Sequence, residues 1–133
     1  MAITTALTAC SKPSDEQTII GRSDIKIENG RLTPEALWAF GRLGDMQVSP
    51  DGKQIAYGVS YYSVPENRSN REIFVMHSDG SDAQQITHSA KSEYSARWVK
   101  NGQKIAFLTS ESGDVQLWEM NPDGTARTQL TNR

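Results

Sequence analysis

Two stretches of this chain run through the same parts in the same order, and that repetition restricts its fold more than any other feature. The first stretch, from Met46 to Thr87, holds Val48, the turn Pro50-Asp51-Gly52 and the apolar alternation of Ile55, Tyr57 and Val59. It continues through the β-prone run Ile73–Met76 and a turn at Asp79-Gly80, and closes on Gln85-Ile86-Thr87. The second, from Ser95 to Thr131, has Trp98 for Val48, Asn101-Gly102 for Asp51-Gly52, and Lys104–Phe107 for Gln54–Tyr57. Leu117–Met120 then answers Ile73–Met76, Asp123-Gly124 answers Asp79-Gly80, and Gln129-Leu130-Thr131 answers Gln85-Ile86-Thr87. The offset is 50 residues at the first turn and 44 at the second. The difference lies between the turns, where Tyr61–Arg71 is six residues longer than Ser110–Asp114.

Inside each unit the apolar period is two. That is the alternation of strands, and it excludes a solenoid of helices. The turn glycines supply the positive φ that hairpin connections demand. Each unit therefore contains four short strands over roughly 45 residues, the period and strand count of one β-propeller blade. An immunoglobulin-like sandwich also uses short, evenly spaced strands, but it does not require a matched second copy. The expected fold is all-β: an incomplete propeller over residues 46–133, with two four-stranded blades at about 46–88 and 94–133. A short helix in residues 32–45 and a flexible N-terminal stretch, residues 1–31, precede them.

Blade physics assigns the remaining conspicuous residues. Inner strands are covered on both faces, whereas the outer strand is an edge, which suits the polar runs Ala83–Thr87 and Arg127–Thr131. Trp98 and Trp118 read as packing between blades rather than as ligand platforms. His77 and His88 sit beside turns and read as solvated. Asp79-Gly80-Ser81-Asp82 has part of a calcium loop but lacks a third acidic ligand and the closing glutamate. No cofactor or metal site is expected. Two blades supply one seam, so residues such as Ile55, Phe74, Phe107 and Trp118 are expected near water on open faces.

The formal charge of −2, with no Lys/Arg run, argues against a nucleic-acid partner. No stretch reaches the ~18 consecutive apolar residues of a membrane-spanning helix. The one cysteine, Cys10, excludes an internal disulfide. Leu7-Thr8-Ala9-Cys10 resembles the lipobox of bacterial lipoproteins, in which the cysteine carries the lipid, and Ser11–Gln17 would then be a polar tether. The departure is that no Lys or Arg precedes the cysteine and the apolar part is short for a signal peptide. The competing reading is a loose N-terminus with a stray cysteine. On the lipobox reading, residues 1–31 are a truncated lipoprotein signal and tether. The protein then lies in the cell envelope, in the periplasm or as an outer-membrane lipoprotein, and touches membrane only through a lipid anchor at Cys10.

The approach to the first blade is more specific. In "LTPEALWAFGRLGDMQVSPDGKQIAY", Leu32 to Tyr57, Thr33 is a good N-cap and Pro34 suits the first helical position. Glu35 favours the positive end of the helix dipole. This short helix running into "SPDGK-IAY" resembles the start of the propeller in prolyl oligopeptidase family serine peptidases, nearest to their bacterial dipeptidyl-peptidase and acylaminoacyl-peptidase branch. The resemblance runs from Leu32 to Arg133. The blade pattern alone is shared with the propeller of the Tol-system periplasmic protein. The second blade departs from the family at Trp98–Gly102, where "WVKNG" replaces a serine-proline-aspartate turn.

The resemblance implies a propeller followed by an α/β-hydrolase domain whose nucleophile sits on a G-x-S-x-G elbow. That motif does not occur in these 133 residues, and none of them can be cast as nucleophile or general base. The chain thus looks like the N-terminal part of a longer serine peptidase. Its propeller would gate peptides toward the hydrolase domain, its partner in the parent chain. The alternatives are a Tol-type protein-binding module without chemistry, and a structural remnant.

Overall fold

The computed structural model describes residues 17–133. The alternation becomes eight strands in two antiparallel sheets. The first sheet holds β1 (Arg42–Val48), β2 (Gln54–Ser63), β3 (Arg68–His77) and β4 (Gln84–Gln85). The second holds β5 (Glu93–Val99), β6 (Lys104–Thr109), β7 (Gln116–Met120) and β8 (Thr128–Gln129). Each sheet is a simple meander, β1-β2-β3-β4 and β5-β6-β7-β8, with no strand crossing between them.

The register reproduces the sequence repeat pair by pair. Ile55 stands opposite Met76 as Ile105 stands opposite Met120, and Tyr57 opposite Phe74 as Phe107 opposite Trp118. The inner strands share one irregularity. β1 bulges between Gly44 and Gln47, with Asp45 at φ 52°; β5 bulges between Tyr94 and Arg97, with Ser95 at φ 57°. A bulge adds a residue and increases local twist, so the same bend is built into both blades.

The helix α1 (Pro34–Ala39) starts as its residues require: Thr33 Oγ1 accepts the Ala36 amide at 3.2 Å, and Pro34 opens the first turn. It is shorter than the 32–45 segment assigned to it. Phe40 is already extended, and Arg42, Leu43 and Gly44 pair with Ser60, Val59 and Gly58 of β2. Ladder hydrogen bonds to a ten-residue neighbour outweigh the weak helical preference of these residues. Part of the N-terminal stretch is also held against the first sheet. Ile20 is buried, and the Thr18 carbonyl accepts from Arg68 at 2.6 Å.

The core is the seam between the sheets. Ala56, Ile73, Val75 and Ile86 of the first blade meet Ala96, Ile105, Phe107 and Met120 of the second, with Trp98 and Trp118 packed against them. This corrects two expectations. Phe107 is fully buried in the seam, not on an open face, and Trp118 packs beside it. Their counterparts Tyr57 and Phe74 occupy the open face of the first blade, half-buried, with rings stacked 5.5 Å apart. Side-chain alternation explains the result. Odd-numbered residues of β6 point back toward the first blade, and the matching residues of β2 point away from the second. The closing segment of the first blade is also less exposed than an edge strand suggests, because Ile86 and Thr87 are buried.

Candidate functional site

The closing threonine of each blade has a defined task. Thr87 Oγ1 accepts the Ile73 amide at 2.8 Å and donates to Glu72 Oε2 at 2.6 Å. Thr131 Oγ1 accepts the Leu117 amide at 2.9 Å and donates to Gln116 Oε1 at 2.7 Å. The hydroxyl thus extends the ladder past the two-residue outer strand. It also clasps a buried side chain on the neighbouring strand, a glutamate in the first blade and a glutamine in the second.

That difference places an acid at the blade seam. Glu72, on β3, is fully buried; Asn70 Nδ2 donates to its Oε1 at 2.8 Å and the Ser89 amide at 3.2 Å. Glu93, at the start of β5, is fully buried as well, and its Oε1 accepts from Arg127 at 3.2 Å. Arg127 also pairs with Glu111 and lies over the rings of Phe107 and Trp118, at 5.0 and 5.8 Å. Burial pushes the Glu72 carboxyl up to about 8. The Thr87 bond opposes this, and the Glu93 charge adds to it. Burial raises Glu93 too, against the charge of Arg127.

Two more links cross the seam. Trp98 Nε1 donates to the Gln47 carbonyl of β1 at 3.0 Å, which gives the indole the inter-blade place expected of it. The Asp45 carboxylate, on the first bulge, accepts from Arg71 at 2.7 Å and from the Ser95 amide of the second bulge at 3.4 Å. Among the described residues, the buried Trp118 indole nitrogen has no partner.

Cys10 lies outside the described residues. His77 and His88 are exposed, and His77 stands 3.7 Å from Asp82. Asp79, first residue of the loop with a partial calcium pattern, is committed to the amide and hydroxyl of Ser81. Among the described residues no three His, Cys, Asp or Glu side chains cluster as metal ligands, and no helix is long and apolar enough to cross a membrane. A concavity of about 530 Å³ lies under α1, lined by Ile20, Ile25, Trp38, Tyr62, Val64 and Pro65 among others. Its lining is mostly apolar, with Ser23, Ser63, Glu35 and Glu66 among the polar members. Sequence reading missed Glu72 and Glu93. The available signal was the mismatch inside the repeat, Glu72-Ile73-Phe74 against Gln116-Leu117-Trp118.

No protein-family model matches the chain. Among curated proteins it is 38% identical over 104 residues to Dipeptidyl-peptidase 5 of Porphyromonas endodontalis, covering 78% of this chain and 15% of that protein. It is 46% identical over 86 residues to Dipeptidyl-peptidase 5 of Porphyromonas gingivalis, covering 65% and 13%. The chain therefore spans about 15% of the length of the curated relatives it matches. Among solved structures it resembles the isopeptidase AtxE2, with a TM-score of 0.63 at 19% identity over 77% of this chain and 20% of that one. It also resembles a TolB from Agrobacterium tumefaciens, at 0.52 and 23% over 65% and 29%. A third likeness is the β-propeller domain of the Pyrococcus furiosus Trilobed protease, described as having an open velcro topology, at 0.54 and 17% over 69% and 28%. At these identities the structures speak for the fold, and the Porphyromonas proteins for descent. Two meander sheets in matched register, sharing one buried seam, are thus two blades of the propeller portion found in the prolyl oligopeptidase family.

Proposed function

We propose that this chain is the non-catalytic propeller segment of a cell-envelope serine peptidase, and that it gates peptide access to a hydrolase domain outside these 133 residues. The observation that carries the reading is the identity to Dipeptidyl-peptidase 5 of two Porphyromonas species. A propeller acts on a hydrolase by exclusion: its rigid, closely packed blades leave a passage that extended peptides fit and folded chains do not. The parts seen here suit that task, since the seam is closely packed and its two bulges are bonded across it. We place the protein at the envelope through a lipid on Cys10.

The test exchanges the matching segment of the Porphyromonas gingivalis peptidase for this chain. The chimera is expected to cleave dipeptidyl chromogenic substrates and to spare folded proteins. The isolated chain is expected to cleave neither. Cleavage of folded proteins by the chimera would refute the gating role, and inhibitor-sensitive turnover by the isolated chain would refute the non-catalytic one. The TolB likeness supports a second reading, a protein-binding module, which a chimera without any peptidase activity would favour.

A further inference from the structure

The buried acids at the seam have a charge count that does not balance. Glu72 comes from β3 of the first blade and Glu93 from β5 of the second, and both are fully buried. The cation facing them is Arg127, between β7 and β8, which is shared with Glu111 of the β6–β7 connection. Arg71, next along β3, is committed to Asp45 and Ser60. His88 and Lys91, in the connection between the blades, are exposed. The other groups on the pair are the neutral donors Asn70, Thr87 and Ser89. Glu93 Oε2 is buried with no donor from these groups. The Glu93 charge acts on the Glu72 carboxyl across the seam. A hydrogen bond that satisfies the orphan oxygen from that carboxyl requires one of the two acids to keep its proton, since an ionised carboxyl only accepts.

We propose that Glu72 and Glu93 hold one proton between them, so that the blade interface is a proton-linked joint, closed while the pair keeps its proton and forced apart when both acids ionise. The proton belongs to the pair rather than to either residue. With it, the orphan oxygen has a partner and the net charge of pair plus arginine is zero. Without it, two like charges face each other in a medium of low dielectric. The second blade carries a built-in comparison. Gln116 occupies the position of Glu72 and makes the same threonine bond with no titratable group.

The direction of the pH effect follows from linkage. In the folded state burial pushes the Glu72 carboxyl up to about 8 and raises Glu93 as well, whereas an unperturbed glutamate titrates near 4.5. The folded state therefore holds more protons between these values. The pair's contribution to stability is complete below about 4.5, falls as pH rises, and is lost above about 8. Over that window the unfolding constant rises by up to about tenfold per pH unit.

The experiment is urea unfolding of the chain from about pH 4 to about pH 9, a range that spans both values, with infrared spectroscopy in the carboxylic-acid carbonyl region. The expected results are a protonated-acid band that persists at neutral pH and unfolding constants that climb with pH. In Glu72→Gln both the band and the pH slope should vanish. If Glu72→Gln does not fold, Glu93→Gln carries the same expectation, and the band in the unaltered protein decides by itself. Absence of that band at neutral pH, or a Glu72→Gln slope equal to that of the unaltered protein, would overturn the proposal.

Discussion

Replacing Gly124 by alanine, with Gly80→Ala as its partner experiment, measures how tightly the second blade is seated on the first. The two glycines hold the same place in the repeat. Gly80 has φ 86° and Gly124 has φ 84°, and each donates its amide to a carbonyl three residues back at 2.9 Å. Each follows an aspartate that accepts from the next hydroxyl residue, Asp79 from Ser81 and Asp123 from Thr125. An L-residue forced into this left-handed conformation costs roughly 1–2 kcal/mol. The gain from restricting the unfolded chain is the same for both variants. The surroundings differ. A Cβ at Gly80 meets nothing within 4 Å; one at Gly124 overlaps the Ile86 carbonyl oxygen of the neighbouring blade and lies 3.1 Å from its carbon. That obstacle is backbone, so the turn or the blade must move, and such overpacking costs roughly 1–3 kcal/mol more. Gly80→Ala is expected to lose about 1–2 kcal/mol, and Gly124→Ala about 2–5 kcal/mol. Urea unfolding followed by tryptophan fluorescence separates them. The difference between the variants is the informative quantity, because strain and unfolded-state terms cancel in it. Equal losses would mean that the turn of the second blade does not press on Ile86, and that the seam is open at its outer end.

Thr87→Val removes the acceptor for the Ile73 amide and the donor to Glu72, both buried, and is expected to cost about 1–3 kcal/mol; a loss within the error of chemical denaturation would sink the clasp. Trp98→Phe keeps most of the ring but deletes the bond to the Gln47 carbonyl. A loss of about 1 kcal/mol is expected in the same assay, and no loss would show that bond to be energetically idle. Cys10→Ala is expected to move the protein from the detergent phase to the soluble fraction in its native host; identical partitioning of the two forms would argue against a lipid at this position.

The fold was legible because a blade is specified locally. Strand period, turn glycines and repeat spacing all lie within about 45 residues, and the observed register matches the sequence alignment of the two units at every quoted pair. The N-cap at Thr33 was legible for the same reason. What escaped was set by contacts between units. Nothing local marks Phe107 as buried and Phe74 as half-exposed, because the two occupy neighbouring places on the repeat and differ in which blade stands beside them. The bulges at Asp45 and Ser95 carry no glycine at the positive-φ position and gave no warning. Glu72 was hidden inside an apolar run, and its partner Glu93 lies 21 residues further on, in the other sheet. A charged residue in an otherwise buried strand is a conflict between local pattern and environment, and such conflicts concentrate at functional or strained positions.

The unbroken meander of each sheet also sets the order in which the molecule assembles. Every strand pairs with its immediate neighbours in sequence, so all ladder hydrogen bonds of the first blade are available before the second has been synthesised. Making a further 44 residues takes roughly 2–9 s at the usual rate of translation, whereas a hairpin closes in about 1–10 μs. The first blade therefore waits, with Ala56, Ile73 and Val75 uncovered, for the surface that will bury them. Ladders form early and the seam forms last. Kinetically, substitutions at the seam, such as those at Gly124 or Trp98, should act mainly by hastening unfolding, while substitutions in the hairpins should slow folding itself. The lifetime of the joined blades, rather than the speed of their formation, is then the property that the seam residues govern.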